Sequence, residues 1–468
     1  MNLSRTYLPL IPLLLFCGCK TVKLARQAQS ETDRLPGETT VPAARAGIDQ
    51  GHTYALATLE QIALRHHPSV LQARQAVEAA RLQSKMTRSA RLPKVTASSA
   101  YNRSTQNSWG ASTSEKMSGS WSGGLGLDLL LYDFGKLDAQ EKQALESLIA
   151  AEEQSRQAEL DVIYNVRSAF FERHRTDQLY EVARTNELQY AEHLKEAVIM
   201  NEVGTRRKYD VTKAEVDLGN ARLEVVTASN DLVVAHAKLN RELGLADHPG
   251  YALDQARLAP REESVDALMA TARENAPSLA VLRARERAAS AYVDQTIADL
   301  YPDLSLSSDA KLSGRGFPLV WNFSWAASIA QTLFSGYKKT SAIEEAVTKL
   351  RAARSEIADA EQTLYLNLAT TAAQRESARK STDIAKMTLQ RAKDNFDIVN
   401  EQYRVGISSS IERTDAQTAV TEAQAEVIRA YYDEQAAHAR IAYLIGSPVA
   451  TGDRPPRQQP EKPAQGNP

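Results

Sequence analysis

Cysteine is missing from all but the first twenty of the 468 residues: the only two are Cys17 and Cys19. No disulfide framework and no cysteine metal site is therefore possible in the body of the protein. Net charge is missing too, since 56 Lys and Arg face 58 Asp and Glu, leaving −2. That balance gives no sequence-wide attraction to phosphate, so no nucleic acid is expected as a partner. Aromatic residues make up only 6%, too few for a bulky globular core, while alanine is abundant and favours helices. No run is apolar for the roughly 20 residues that a helix needs to cross a bilayer, so deeper membrane insertion would have to be by strands. Phosphate loops, Gly-rich dinucleotide fingerprints, His-Glu-x-x-His, Gly-x-Ser-x-Gly and Cys/His clusters are all absent from the sequence. No enzyme activity, cofactor or metal is expected, and any transport would be passive, with its energy supplied by a partner.

What is present begins with an address. Arg5 precedes an apolar run, Tyr7 to Phe16, of the length of a signal-peptide core. It ends in Leu15-Phe16-Cys17-Gly18-Cys19, which resembles a bacterial lipobox with small Gly18 before the cysteine. Residues 1–18 are thus expected to be a signal peptide and Cys19 the lipidated residue, with Lys20 after it implying delivery to the outer membrane. Residues 19–52 are polar, with Pro36 and Pro42, and predict an extended linker; residues 448–468 hold further prolines and predict a disordered tail.

Between these ends the chain repeats itself. His67-Pro68-Ser69 matches Ala276-Pro277-Ser278, and Leu92-Pro93 matches Tyr301-Pro302, both 209 residues apart. Leu131-Tyr132-Asp133 matches Leu333-Phe334-Ser335, Val203-Gly204 matches Val405-Gly406, and Leu243-Gly244 matches Ile445-Gly446, all 202 apart. The repeats run over residues 53–247 and 263–447, joined by a linker at 248–262. Their one difference in length lies between the prolines and the Leu-aromatic pair.

Inside that interval the period is two. Trp121, Gly123, Leu125, Leu127, Leu129 and Leu131 form one face in the first repeat. Trp321, Phe323, Trp325, Ala327, Ile329 and Leu333 do so in the second. With the Ser/Thr-rich segments before them these predict β-hairpins over 94–132 and 303–334, each with one apolar and one polar face. Four strands are too few to close a membrane barrel, so several chains would have to share one. Elsewhere the pattern is helical. Pro68 and Pro277 start helices of about 23 residues. The proline-free segments 136–202 and 338–404 predict rods about 100 Å long at 1.5 Å per residue. Return helices are expected over 209–243 and 411–445.

The return helices carry a heptad. Val211, Leu218, Val225, Leu232 and Leu239 recur every seventh residue, with Ala214, Ala221, Ala228 and Ala235 three places after the first four. Ala416, Ala423, Ala430 and Ala437 are the second alanine column. The pattern predicts a close coiled-coil seam. Arg413 and Glu434 interrupt its partner column and are expected to face a subunit boundary or water. His66 and His67 fit a plain role at a helix start.

The ordered, doubled set of hairpin, long helix, Val-Gly break and heptad return helix resembles the TolC-type outer membrane efflux family over residues 53–447. The segments carrying the likeness are Leu131-Tyr132-Asp133-Phe134-Gly135, Leu333-Phe334-Ser335-Gly336, Val203-Gly204-Thr205 and Val405-Gly406-Ile407. The resemblance implies a mainly α fold with a β-barrel part. Duplicated coiled-coil helices would form a periplasmic α-helical barrel, and four strands per chain would contribute to a trimeric twelve-stranded outer-membrane barrel. It implies a homotrimer, a periplasmic adaptor docking on the tips Val203, Gly204, Thr205, Val405, Gly406 and Ile407, and an inner-membrane transporter behind it. The function implied is the exit duct of a tripartite efflux or type I secretion system. Glu412 and Asp415 match the family's constriction acids, Tyr403 and Asp210 match a pair that ties neighbouring coils, and Ser408 stands where a basic residue often makes a second tie. Crowded in a ring, such carboxylates would have raised pKa values. Two other classes fit part of the pattern: a coiled-coil spacer or adhesin, which has no need of amphipathic hairpins, and an adaptor, which carries one coiled-coil hairpin rather than two.

Overall fold

A computed structural model describes residues 23–30, 41–106, 116–260 and 262–447. The signal peptide, Cys19, the hairpin loop at 107–115 and the tail 448–468 lie outside the described residues. Residues 23–30 are helical (α1), followed by α2 (Ala43–Ala46) and β1 (Thr53–Tyr54). The first repeat is α3 (Leu56–His66), α4 (Pro68–Ser89), β2 (Lys94–Gln106), β3 (Lys116–Tyr132), α5 (Lys136–Glu202) and α6 (Lys208–Glu242). After β4 (Ala252–Leu253), the second repeat is α7 (Val265–Asn275), α8 (Pro277–Ala298), β5 (Asp303–Gly314), β6 (Val320–Ala330), α9 (Lys338–Arg404) and α10 (Ser410–Leu444). The 67-residue helices α5 and α9 begin and end where absence of proline predicts. At 1.5 Å per residue each is about 100 Å long.

α5 and α9 are the full-length beams. At one end they pack with α4 and α8, at the other with α6 and α10, so the helices lie side by side as α4–α5–α8–α9 and α6–α5–α10–α9. α4 and α8 each start on a proline whose missing N–H costs nothing there. His67 reinforces the first start: its Nδ1 accepts the Ser69 N–H at 3.2 Å.

The hairpins form one antiparallel sheet in the order β2-β3-β5-β6. Its register aligns the apolar rows: Ala97, Leu125, Ala310 and Phe323 lie side by side, as do Leu129, Leu306 and Ala327. On the other face Ser98, Gly124, Lys311 and Asn322 form a polar row, with Thr96, Gly126, Asp309 and Ser324 next to it. Directly paired residues share a face, so one side of the sheet is mainly apolar and the other mainly hydrophilic. The second hairpin is shorter than its predicted span of 303–334. Pairing ends at Asp303 with Ala330, because Pro302 before it has no N–H to extend the ladder. Leu333 and Phe334 are therefore off the sheet and exposed.

Two connecting segments do more than expected of them. Residues 41–51 are not extended linker: Ala43, Ala46 and Ile48 are buried in the equatorial core with Leu59, Phe170, Phe171, Leu239 and Leu243. The Ala43 N–H donates to Asp247 Oδ1 at 2.6 Å, fixing this segment to the end of the first repeat. The 248–262 linker is also pinned, since β1 and β4 pair in parallel and the Leu258 N–H donates to Gln435 Oε1 at 3.0 Å. Small apolar residues among polar ones conceal both contacts from a periodicity reading.

The alanine columns line the seams. Ala214, Ala221 and Ala235 are buried, as are Ala416, Ala423, Ala430 and Ala437. Ala221 packs in one cluster with Leu218 and Tyr190 of α5. Ala221→Leu and Ala423→Leu are each expected to cost about 1–3 kcal/mol through overpacking. Melting of the purified protein checks this, and unchanged melting of both variants would remove the seam assignment. Arg413 and Glu434 correct the expectation made for them. Their side chains are only 12% and 17% exposed and pack within the chain, Arg413 against α9 and α5, Glu434 beside His438.

Candidate functional site

Where each long helix ends, the chain reverses through a glycine in the left-handed region, Gly204 at φ 76° and Gly406 at φ 82°. The Thr205 N–H donates to Met200 O, and the Ile407 N–H to Gln402 O, both at 2.9 Å. These bonds satisfy the last carbonyls of α5 and α9 and make each reversal tight. Val203, Val405 and Ile407 are left 69–78% exposed at the extremities of the molecule. The sequence-predicted tips are thus two similar apolar caps, one on each helical hairpin.

Beside the tips, α10 packs on α5, and the contact between the hairpins differs from the seams inside them. Alanine and leucine fill the inner seams; hydrogen bonds fill this one. Thr421 Oγ1 donates to Asn186 Oδ1 at 3.0 Å, Gln417 Nε2 donates to Gln189 Oε1, and Tyr190 Oη lies 3.3 Å from Thr418 Oγ1. Closer to the tips Asp217 accepts from Lys213 at 2.5 Å and from the Thr414 hydroxyl at 3.2 Å. A plane held by such bonds costs little to part once water replaces them, because each contributes only about 0.5–1.5 kcal/mol net.

Tyr403 is the centre of the tip contact. Its ring is fully buried, with the Arg206 guanidinium 4.3 Å from its centroid, that of Arg413 at 5.4 Å and the His193 ring edge-on at 5.4 Å. Arg206 also donates to Tyr403 O at 2.8 Å and Ser408 O at 3.1 Å, fastening the first tip to the backbone of the second. Arg413 donates to Asn400 Oδ1 at 2.7 Å and pairs with Glu196 at 3.5 Å. Arg206 precedes Ser408 by the repeat distance of 202, so the basic residue missing from the second tip is supplied by the first. The repeat arithmetic could have found Arg206. His193, Glu196 and Asp217 leave no such mark, since single polar residues within helices carry no period.

The four predicted gate residues are differently engaged. Tyr403 Oη has no hydrogen-bond partner among the described residues, and burial pushes its phenol up. The Asp210 carboxylate instead accepts the Arg207 N–H at 3.3 Å, closing the N-terminal turn of α6. Within the chain, then, Tyr403 and Asp210 are not tied. Glu412 does the same for α10: its carboxylate accepts the Ser409 N–H at 2.8 Å and the Ser408 hydroxyl. These bonds, that from Ser408 first, hold Glu412 below the usual carboxylate range, the opposite of the crowding expectation for a chain taken alone. Asp415, less than one turn further on, is exposed and makes no ion pair or hydrogen bond among the described residues.

Comparison with known proteins bears on the family and the fold. The family model described as outer membrane efflux protein matches residues 59–245 and 268–447. A curated relative, the solvent efflux pump outer membrane protein SrpC of Pseudomonas putida, is 22% identical over 466 residues, covering 94% of this chain and 97% of its own. Among solved structures, a membrane protein from Pseudomonas aeruginosa superposes with a TM-score of 0.77 at 20% identity, covering 85% of this chain and 91% of its own. The Campylobacter jejuni CmeC outer membrane channel superposes at 0.76 and 16%, covering 84% and 85%. The family match extends over most of the chain and takes in both hairpins and both tips: the chain belongs to the outer membrane efflux protein family.

Proposed function

We propose that three copies of this chain close into one outer-membrane duct, through which substrates handed on by an inner-membrane pump leave the cell without energy input from the duct itself. The observation that carries the reading is the sheet: one largely apolar face, one largely polar face and, among the described residues, two unpaired edges, β2 and β6. Such edges cannot stand in lipid, and four strands cannot close, but three copies supply twelve. The helices support the same ring. On α6, Leu223, Val226 and Val233 are 66–67% exposed, continuing a heptad from Tyr209 and Val216. Their counterparts 202 residues later are covered by this same chain: Ile428 packs on the equatorial core and Gln435 is buried. Only another copy supplies an equivalent cover for α6.

In this reading the apolar face of the sheet meets lipid, Cys19 carries an acyl anchor, and the helices form a periplasmic tunnel closed near Asp415. Export of small apolar molecules is supported by the name of SrpC, a solvent efflux pump component. A periplasmic adaptor docks end-on at the tips. Gly406→Asp tests this last step. Nothing lies within 4 Å of a Cβ built at Gly406, and aspartate tolerates the left-handed region better than most residues, so the trimer should survive. The new charge should reduce adaptor cross-linking by about a hundredfold or more, because an unmatched charge at a docking contact costs several kcal/mol. Normal cross-linking and normal efflux in that variant would remove the docking assignment.

A further inference from the structure

The duct reading leaves one buried titratable group unused. His193, on α5, is 1% exposed; its Nε2 is 3.5 Å from Ser410 Oγ, and its Nδ1 has no hydrogen-bond partner among the described residues. Charged groups approach it from every neighbouring element. α6 presents Lys213 and Asp217, the first tip loop presents Arg206, and α10 presents Arg413. α9 presents the Tyr403 ring, and on α5 itself Glu196 follows three residues later. Both acids are already engaged. Asp217 holds Lys213 and Thr414, and Glu196 lies between Arg404 and Arg413. An imidazolium placed here would join three cations; Glu196 Oε2, which lacks a hydrogen bond, already lies 3.5 Å from the Arg413 guanidinium, and the second imidazolium N–H would be unpaired. A buried charge in that position is strongly disfavoured.

We propose that His193 makes the fastening between the two helical hairpins acid-sensitive: protonation drives the imidazole out of the Tyr403 cluster, and the second tip comes away from the first. That this would loosen the closed end of the duct rests on the function proposed above; the fastening itself belongs to a single chain. Burial first, and then Arg413, push the imidazole down to about 4 from its ordinary 6.5. A group held neutral in this way leaves the fastened form at full stability above pH 6.5. Stability is lost as pH falls from 6.5 towards 4, because the released form binds the proton more readily. At pH 4 the balance between fastened and released forms should have moved on the order of a hundredfold.

Amide exchange of the full-length protein in lipid discs reads this directly, with labelling times scaled to the intrinsic rate at each pH. Between pH 7 and pH 4, peptides covering residues 186–200 and 403–418 should lose protection on the order of tenfold or more, while equatorial peptides around Phe170 hold theirs. His193→Gln should abolish the acid loss. His193→Lys should be unprotected already at pH 7, and His193→Met, similar in size but uncharged, should remain protected there. If His193→Gln loses protection in acid as the wild type does, the proposal is wrong. It is equally wrong if His193→Met is as open at pH 7 as His193→Lys. Channel current recorded at both pH values separates the two readings: tips that part in acid without any change in conductance leave the His193 fastening standing and refute the closed end.

Discussion

Micromolar trivalent cation on the periplasmic side should stop the current through a single reconstituted channel, and Asp415→Ala should restore most of it. In the proposed three-fold ring the Asp415 carboxylates would converge on the narrow end, and in its own chain Asp415 is exposed and has no partner among the described residues. A contact between unit charges at about 4 Å is worth roughly 1 kcal/mol even in bulk water, and three such contacts to a trivalent ion exceed the ~1.4 kcal/mol that makes a factor of ten. Removing the ring should therefore weaken block by tenfold or more and lower the preference for cations. Glu412→Gln should have the smaller effect. Its carboxylate already accepts from Ser408 and Ser409, and glutamine keeps an oxygen for that turn of α10. Because those bonds hold Glu412 below the usual carboxylate range, it keeps its charge as the solution is acidified to pH 5. The part of the block that Glu412 contributes should persist there. A wild-type channel that ignores the cation, or a channel carrying both Asp415→Ala and Glu412→Gln that is blocked equally well, would reduce both acids to a solvated surface.

Gly446→Ala should be among the most destabilising single-methyl additions in the chain. Gly446 has φ 63°, where a side chain costs about 1–2 kcal/mol. A Cβ built there would also lie 2.5 Å from Asn275 O and 2.9 Å from Ala276 Cα. Both are backbone atoms at the junction of α7 and α8 and cannot swing aside, so overpacking adds about 1–3 kcal/mol. The expected loss is about 2–5 kcal/mol. Gly406→Ala makes the contrast. It has φ 82° but open space around it, so only the backbone term, about 1–2 kcal/mol, applies. Melting of the detergent-solubilised protein should rank wild type above Gly406→Ala and that above Gly446→Ala; equal melting of the two variants would mean that the α10 end does not press on the α7–α8 junction.

The glycine pairs show how far the repeat could be read. Gly204 with Gly406, and Gly244 with Gly446, are visible as copies 202 residues apart, and all four have positive φ. Which two end in open space and which two press on a neighbouring backbone depends on where α3–α4 and α7–α8 fold back, information that no local pattern contains. The tips behave likewise. Gly406 and Ile407 are legible as a reversal; of the partners of Tyr403, Arg206 is reachable only through the repeat spacing and His193 not at all, because both come from another repeat.

The sequence by itself determined the elements whose cause is local and periodic. These are the proline-free spans that became α5 and α9, the period of two in the hairpins, the alanine columns of the seams and the duplication that relates them. Each depends on neighbours within a turn or two, so the residues at hand suffice. Tertiary structure alone decided which polar groups are matched and which apolar faces are covered. It buried Arg413 on Tyr403, gave the Glu412 and Asp210 carboxylates to helix N-termini, and drew Ala43 and Ile48 into the equatorial core. It also covered one face of α10 with α5 while leaving the matching face of α6 open. The physical reason is that a repeat of 202 residues copies each helix faithfully but not its surroundings: α10 packs between the two long helices of the chain, whereas α6 lies at its edge.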